Sequence, residues 1–147
     1  MEVRTIFRRN KLTCAILALL TALLLTGCQK TELPDSIDKE AMLDAGAEIV
    51  ALLADEDYQA VADAFRSDVR EEYSIDADAV KAVMDQVSGA GAYVKTSQTS
   101  ATGGKNDSFD EPYGVALLYC EHEEADIIYE LSFDTNLNLI GMQVKQK

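Results

Sequence analysis

The sequence predicts an α+β domain in which three helices precede, and cover one face of, a four-stranded antiparallel sheet. Three observations carry this. Between Ser36 and Gly91 apolar residues recur at helical spacing. After Gly91 the period changes to two. The last strands are joined by segments too short for a crossover, so they form hairpins.

Taken in order, Gln29 to Asp35 (QKTELPD) is polar, contains Pro34 and is expected to be a short tether. Ser36 is placed to cap the first helix, with Lys39 and Glu40 in its first turn. Its stripe is Met42, Ala45, Ile49, Leu52 and Leu53, and Asp55-Glu56-Asp57 ends it. The second helix, YQAVADAFRSDVREE, repeats the pattern with Tyr58, Val61, Ala62, Phe65 and Val69. The third opens near Asp76 and carries Val80, Val83, Met84 and Val87, with Gly89 or Gly91 supplying a left-handed stop. Such stripes face a core.

The first strand is AYVKTSQTSAT, rich in Thr, Ser, Tyr and Val. GGKNDSFDEP is expected to be a loop. YGVALLYCEHEE is a strand with an apolar centre from Val115 to Cys120. In ADIIYELSFD, Ile127, Tyr129, Leu131 and Phe133 face one way, and Asp126, Ile128, Glu130 and Ser132 the other. TNLN turns, because asparagine tolerates positive φ. LIGMQVKQ is the last strand, with Ile140, Met142 and Val144 on one face.

The start of the chain has a different character. Arg4, Arg8, Arg9 and Lys11 precede an uncharged run from Leu12 to Gly27. A basic head, a short apolar stretch and small residues at its end make an export signal. The run spans only ~24 Å as a helix, short of the ~30 Å of a hydrocarbon core. It ends Leu25-Thr26-Gly27-Cys28, which resembles the bacterial lipobox. Cleavage between Gly27 and Cys28 is expected, with lipid, palmitate among its chains, on the Cys28 thiol. Each buried methylene contributes ~0.8 kcal/mol, and two or more chains anchor stably where one does not. The expected organisation is therefore a signal peptide over 1–27, a lipidated tether over 28–35 and the domain over 36–147.

The leader carries four basic residues and one acid, a net +3, so its removal takes the formal charge from −13 to −16. That excludes nucleic acid and adhesion to anionic headgroups, both of which need a basic face. The membrane attachment must come from the lipid. With Cys14 in the leader and Cys28 acylated, only Cys120 remains, so no intramolecular disulfide forms. A chain of this length buries roughly 65% of its unfolded surface, enough for one domain.

Little in the sequence promises catalysis. Cys120, the single His122 and Asp126 are the candidate zinc or Cys–His group. Zinc wants three or four protein ligands, and no second Cys or His is present, so neither a metal nor a catalytic residue is expected. His122 lies in EHEEAD, a charged strand end where solvation is expected and a change to alanine should hardly matter. Cys120 reads as a small buried hydrophobe. DTNLNLIG lacks the glycine and glutamate that a calcium loop needs at Leu139 and Lys145. No phosphate-binding loop, dinucleotide turn or nucleophile elbow is present.

IVALLADEDYQAVADAF, SGAGAYV and YELSFDTNLNLIGMQV resemble the domain of unknown function 3887 family, whose members are often bacterial lipoproteins. The similarity covers residues 37 to 146. The family is placed in the nuclear-transport-factor-two-like, or cystatin-like, superfamily, which implies a curved sheet wrapped against helices into a cone. Such a cone often opens into a pocket, here lined by Phe65, Met84, Tyr93, Tyr119, Tyr129 and Met142. The superfamily hosts isomerases and dehydratases as well as binding modules, so the fold does not transmit a function. The expectation is a membrane-anchored, extracytoplasmic, non-catalytic domain that binds a small apolar ligand or a protein and needs no cofactor. The alternatives are a small cone-fold hydrolase or isomerase, and a structural module that dimerises through its sheet.

Overall fold

The structure is a computed structural model that describes residues 31–106 and 109–147. The leader, the expected cleavage site at Gly27 and Cys28, and residues 29 and 30 lie outside the described residues. Helices α1 (Lys39–Ala54), α2 (Tyr58–Ala64), α3 (Ser67–Glu72) and α4 (Ala77–Asp85) come first, followed by a short 3₁₀ turn (Ser88–Ala90). Strands β1 (Tyr93–Asn106), β2 (Phe109–His122), β3 (Asp126–Phe133) and β4 (Leu139–Gln146) follow. They form one antiparallel sheet in the order β1-β2-β3-β4. The α+β class and the helix-then-strand order are as the sequence predicts.

Aspartates start three of the helices by accepting from a backbone N–H three residues on, the usual N-cap geometry. Asp38 accepts from Ala41, Asp57 from Ala60 and Asp76 from Ala79. Asp38 thus takes the role expected of Ser36: a carboxylate meets the positive end of the helix dipole as well as an orphan donor. α1 and α3 both end in Schellman turns. Asp57 N–H donates to the Leu52 carbonyl and Glu56 N–H to that of Leu53; Ile75 and Ser74 repeat this on Arg70 and Glu71. The left-handed positions fall on Glu56 (φ 57°) and Ser74 (φ 52°), where glycine fits without strain. Glu56→Gly is therefore expected to stabilise the domain by about 0.5–1 kcal/mol in urea unfolding. An unchanged or lower midpoint would contradict this.

The second expected helix is two. Phe65 and Arg66 are extended, with ψ near 140° and 137°. The interruption lets Phe65 bridge to Leu139 in parallel, and Arg66 N–H donates to the Leu139 carbonyl at 2.9 Å. Hydrogen bonding to the sheet overrides helical spacing here.

The core fills the space between helices and sheet. Met42, Ile49, Val50 and Leu53 of α1, with Val61, Phe65, Val69, Val80 and Val87, meet Ala116, Leu118 and Cys120 of β2 and Ile127, Tyr129, Leu131 and Phe133 of β3. Met142 and Val144 pair with Leu131 and Tyr129 on this face. A register shift beside Phe133 places Leu139, rather than Ile140, in the fully buried position. The described residues of the expected GGKNDSFDEP loop are instead strand: Gly104 pairs with Tyr113 and Asn106 with Phe109. The β1–β2 hairpin therefore runs past the end of β3, whose Phe133 pairs with Gly114.

Among the described residues, no helix lies on the other sheet face. Val115, Leu117, Tyr119 and Ile128 are half-buried there, flanked by the pairs Lys95–Glu121 (3.4 Å) and Lys145–Glu130 (3.3 Å). Among the described residues, no helix is long and apolar enough to cross a membrane.

Candidate functional site

Polar side chains gather where β1 begins and β2 ends. Gly91 closes the 3₁₀ turn at φ 77°, a conformation that favours glycine, and points its carbonyl at His122. His122 Nδ1 lies 2.9 Å from that oxygen, and His122 Nε2 lies 3.1 Å from the Tyr129 hydroxyl. A carbonyl only accepts, so Nδ1–H donates to Gly91 and Nε2 accepts from the Tyr129 O–H. Tyr93 sets its ring edge-on to His122, 5.8 Å between centroids. Its hydroxyl shares a 3.0 Å hydrogen bond with Thr96 Oγ1, which lies 3.4 Å from Cys120 Sγ. Glu123 fastens the same corner: its carboxylate accepts from Ala92 N–H, and its own N–H donates to the Ala92 carbonyl.

The electrostatics of this corner suit structure better than catalysis. Burial, with Cys120 and Tyr93 adding to it, pushes the Tyr129 phenol well above its ordinary value. The hydroxyl therefore keeps its proton. Burial also raises the Cys120 thiol, against a smaller opposing effect from the Thr96 hydrogen bond. A protonated thiol is a poor nucleophile. His122 has both ring nitrogens engaged, one by the Gly91 carbonyl and one by the Tyr129 hydroxyl, rather than by an orienting carboxylate.

The opposite end of the sheet holds a second polar group. Asp134 is only 2% exposed, the one buried charged residue among those described. Its carboxylate accepts from the Asn136 and Asn138 backbone N–H groups (2.9 and 2.8 Å), from Asn138 Nδ2 (3.1 Å) and from Arg66 Nη1 (3.2 Å). Arg66 also grips both oxygens of Asp68 and reaches Glu111 at 2.9 Å. Burial acts to raise the Asp134 carboxyl, but the hydrogen bonds from Asn138, Arg66 and Asn136 outweigh it and hold the group below the ordinary carboxylate range. The network pins the β3–β4 turn to the break between α2 and α3.

Residues 46–142 match the model of a family described as a protein of unknown function (DUF3887). The chain belongs to the DUF3887 family. The DUF3887 chain is also similar to a protein from Ruminococcus gnavus ATCC 29149 solved by NMR, with 21% identity and a TM-score of 0.65. The likeness covers 78% of this chain and 96% of that one, and it concerns the fold alone. No curated protein matches the chain.

The DUF3887 fold spreads the expected pocket residues widely. Tyr93 and Tyr129 meet around His122. Met84 packs on the core from α4, and Met142 sits opposite Leu131 mid-sheet. Phe65 lies at the far end, bridged to Leu139. Tyr119 pairs with Ile128 on the outer face, away from the helices. Of the candidate zinc or nucleophile group, Cys120 is buried as expected. His122 is not a solvated strand-end residue: it is half-buried and hydrogen-bonded on both sides. Asp126 is exposed and pairs with Lys147, on the face away from Cys120. Among the described residues, no group of three or more His, Cys, Asp or Glu is placed to hold a metal ion.

Proposed function

We propose that the protein is a lipoprotein held to the outer side of the bacterial cell membrane by lipid on Cys28. Its domain, in this reading, is a non-catalytic module that binds a protein or a small apolar ligand. The observation that carries the anchor is the sequence Leu25-Thr26-Gly27-Cys28 at the end of a basic-then-apolar leader. A processed chain of charge −16 has little attraction for anionic lipid, so attachment depends on the acyl chains.

The polar corner supports a role without catalysis. Its imidazole is spent on two structural hydrogen bonds, and its phenol and thiol are held protonated by burial. A hydrolase or isomerase that used the imidazole as a base or the thiol as a nucleophile would need that group released. A second reading, pairing of two copies through the sheet, is favoured by the open face of Val115, Leu117, Tyr119 and Ile128. Sedimentation at rising concentration separates the two readings.

The anchor is tested by growing cells with an alkyne-tagged fatty acid. Wild-type protein should take the tag and run at its processed size. Cys28→Ser should stay untagged and unprocessed. Tag on the Cys28→Ser variant would overturn the assignment.

A further inference from the structure

The chain docks onto the sheet almost as soon as it leaves Cys28. Thr31 bridges to Gly103 on the free edge of β1, with Gly103 N–H donating to the Thr31 carbonyl at 2.8 Å. Gly103 is a glycine for a steric reason: a methyl there would run into the Glu32 carbonyl. Leu33 then packs on the core, and Ile37 is buried against it. From Thr31 onward, the residues expected to form the short tether pack against the folded body.

Only Gln29 and Lys30 separate Thr31 from Cys28. Three residue spacings reach at most ~11 Å, even fully extended. The docking point lies at the end of the sheet from which the β1–β2 hairpin projects, since Gly103 pairs with Gly114. The other end, with His122 opposite Tyr93, lies roughly 26 Å further along β2 at ~3.3 Å per residue. The tether is therefore much shorter than the sheet it holds.

We propose that the anchored domain stands on end. The base of the β1–β2 hairpin, around Gly103 and Asp110 to Tyr113, faces the lipid headgroups, and the Gly91–His122–Tyr129 corner points away from the membrane. This rests on the Cys28 anchor proposed above. The short tether at one end of the sheet, rather than charge, selects this orientation: exposed carboxylates lie at that end (Asp110 and Glu111) as well as along α1 (Glu40, Asp44 and Glu48). Standing on end leaves the apolar outer face of the sheet open to a partner approaching from the side.

The test uses the lipidated full chain in vesicles of phosphatidylcholine and phosphatidylglycerol. A single fluorophore is placed by Asp110→Cys or by Glu124→Cys. Both positions are exposed, Cys28 is blocked by lipid and Cys120 is buried. Nitroxide-headgroup lipid, a short-range quencher, should quench the dye at position 110 several-fold more than at 124. Inserting about ten Gly/Ser residues after Lys30 adds roughly 18 Å of flexible reach and should shrink that contrast. Equal quenching at both positions, stronger quenching at 124, or a contrast untouched by the insertion would overturn the orientation. Flotation of the same samples reports the anchor separately: protein left at the bottom of the gradient would remove the anchor and the orientation with it.

Discussion

Asp134→Ala is expected to cost the domain about 3 kcal/mol, because it strands buried donors as well as removing a buried charge partner. The Asn136 and Asn138 N–H groups lose their acceptor, and Arg66 loses a carboxylate partner that is shielded from water. Arg66 keeps Asp68 and Glu111, both well exposed, and exposed pairs contribute little. Asp134→Asn, which retains an oxygen for the two backbone donors, should lose about half as much. The pH dependence has a definite sign. The folded carboxyl titrates below its unfolded value, so its stabilisation is fully present above about pH 4, the unfolded value, and is lost as pH falls through the lower folded one. Urea midpoints of wild type and Asp134→Asn should therefore differ at neutral pH and converge below pH ~4. Equal midpoints at neutral pH would mean that the network holds nothing together.

Tyr129→Ala should be costlier still, about 4 kcal/mol, since a ring only 1% exposed leaves the middle of the core. Tyr129→Phe isolates the hydroxyl. It keeps the ring and leaves His122 Nε2 without its donor, for a loss of about 1 kcal/mol. His122→Ala removes both hydrogen bonds and the ring packed on Tyr93, for about 1–2 kcal/mol. The paired change should cost less than the two single losses added together, because both remove the same contact. Strict additivity in thermal or urea unfolding would show that the Tyr129–His122 contact contributes nothing of its own.

In the sequence His122 reads only as a solvated residue. Its neighbours Glu121, Glu123 and Glu124 are charged, and sequence pattern reports neighbours rather than partners. Gly91, which supplies one partner, lies 31 residues away, and only the pairing of Tyr93 with His122 brings it close. Arg66 was hidden in a similar way. Its stretch keeps helical spacing, and the contact that breaks the helix, Phe65 with Leu139, spans most of the domain. Asp134 gave a local signal, since an aspartate before Thr-Asn commonly folds back on its own backbone. The turn follows that rule, although Leu137 at φ 60°, not an asparagine, takes the left-handed position.

Alternation in β3 and the helical stripes of α1 and α4 were clear because one face of each is buried and the other is wet. In the sequence the β1–β2 hairpin reads as a loop because its glycines signal a break. Gly103 instead admits the N-terminal segment, and Gly104 lies where the Tyr113 ring leaves no room for a side chain. The tyrosines read together as pocket lining divide between the two faces of the sheet, because Tyr119 and Tyr129 differ in register parity. The family match adds a kinship but no chemistry, so the proposed anchor is the functional reading that the sequence motifs support most specifically.

The most direct test of the anchor is the mass of the N-terminal peptide from protein extracted out of native membranes. The account predicts a chain that begins at Cys28 and carries a diacylglyceryl thioether on its sulfur, with or without a further acyl chain on the amine. A free thiol at that position, or a peptide that still contains Gly27 and the residues before it, would contradict it.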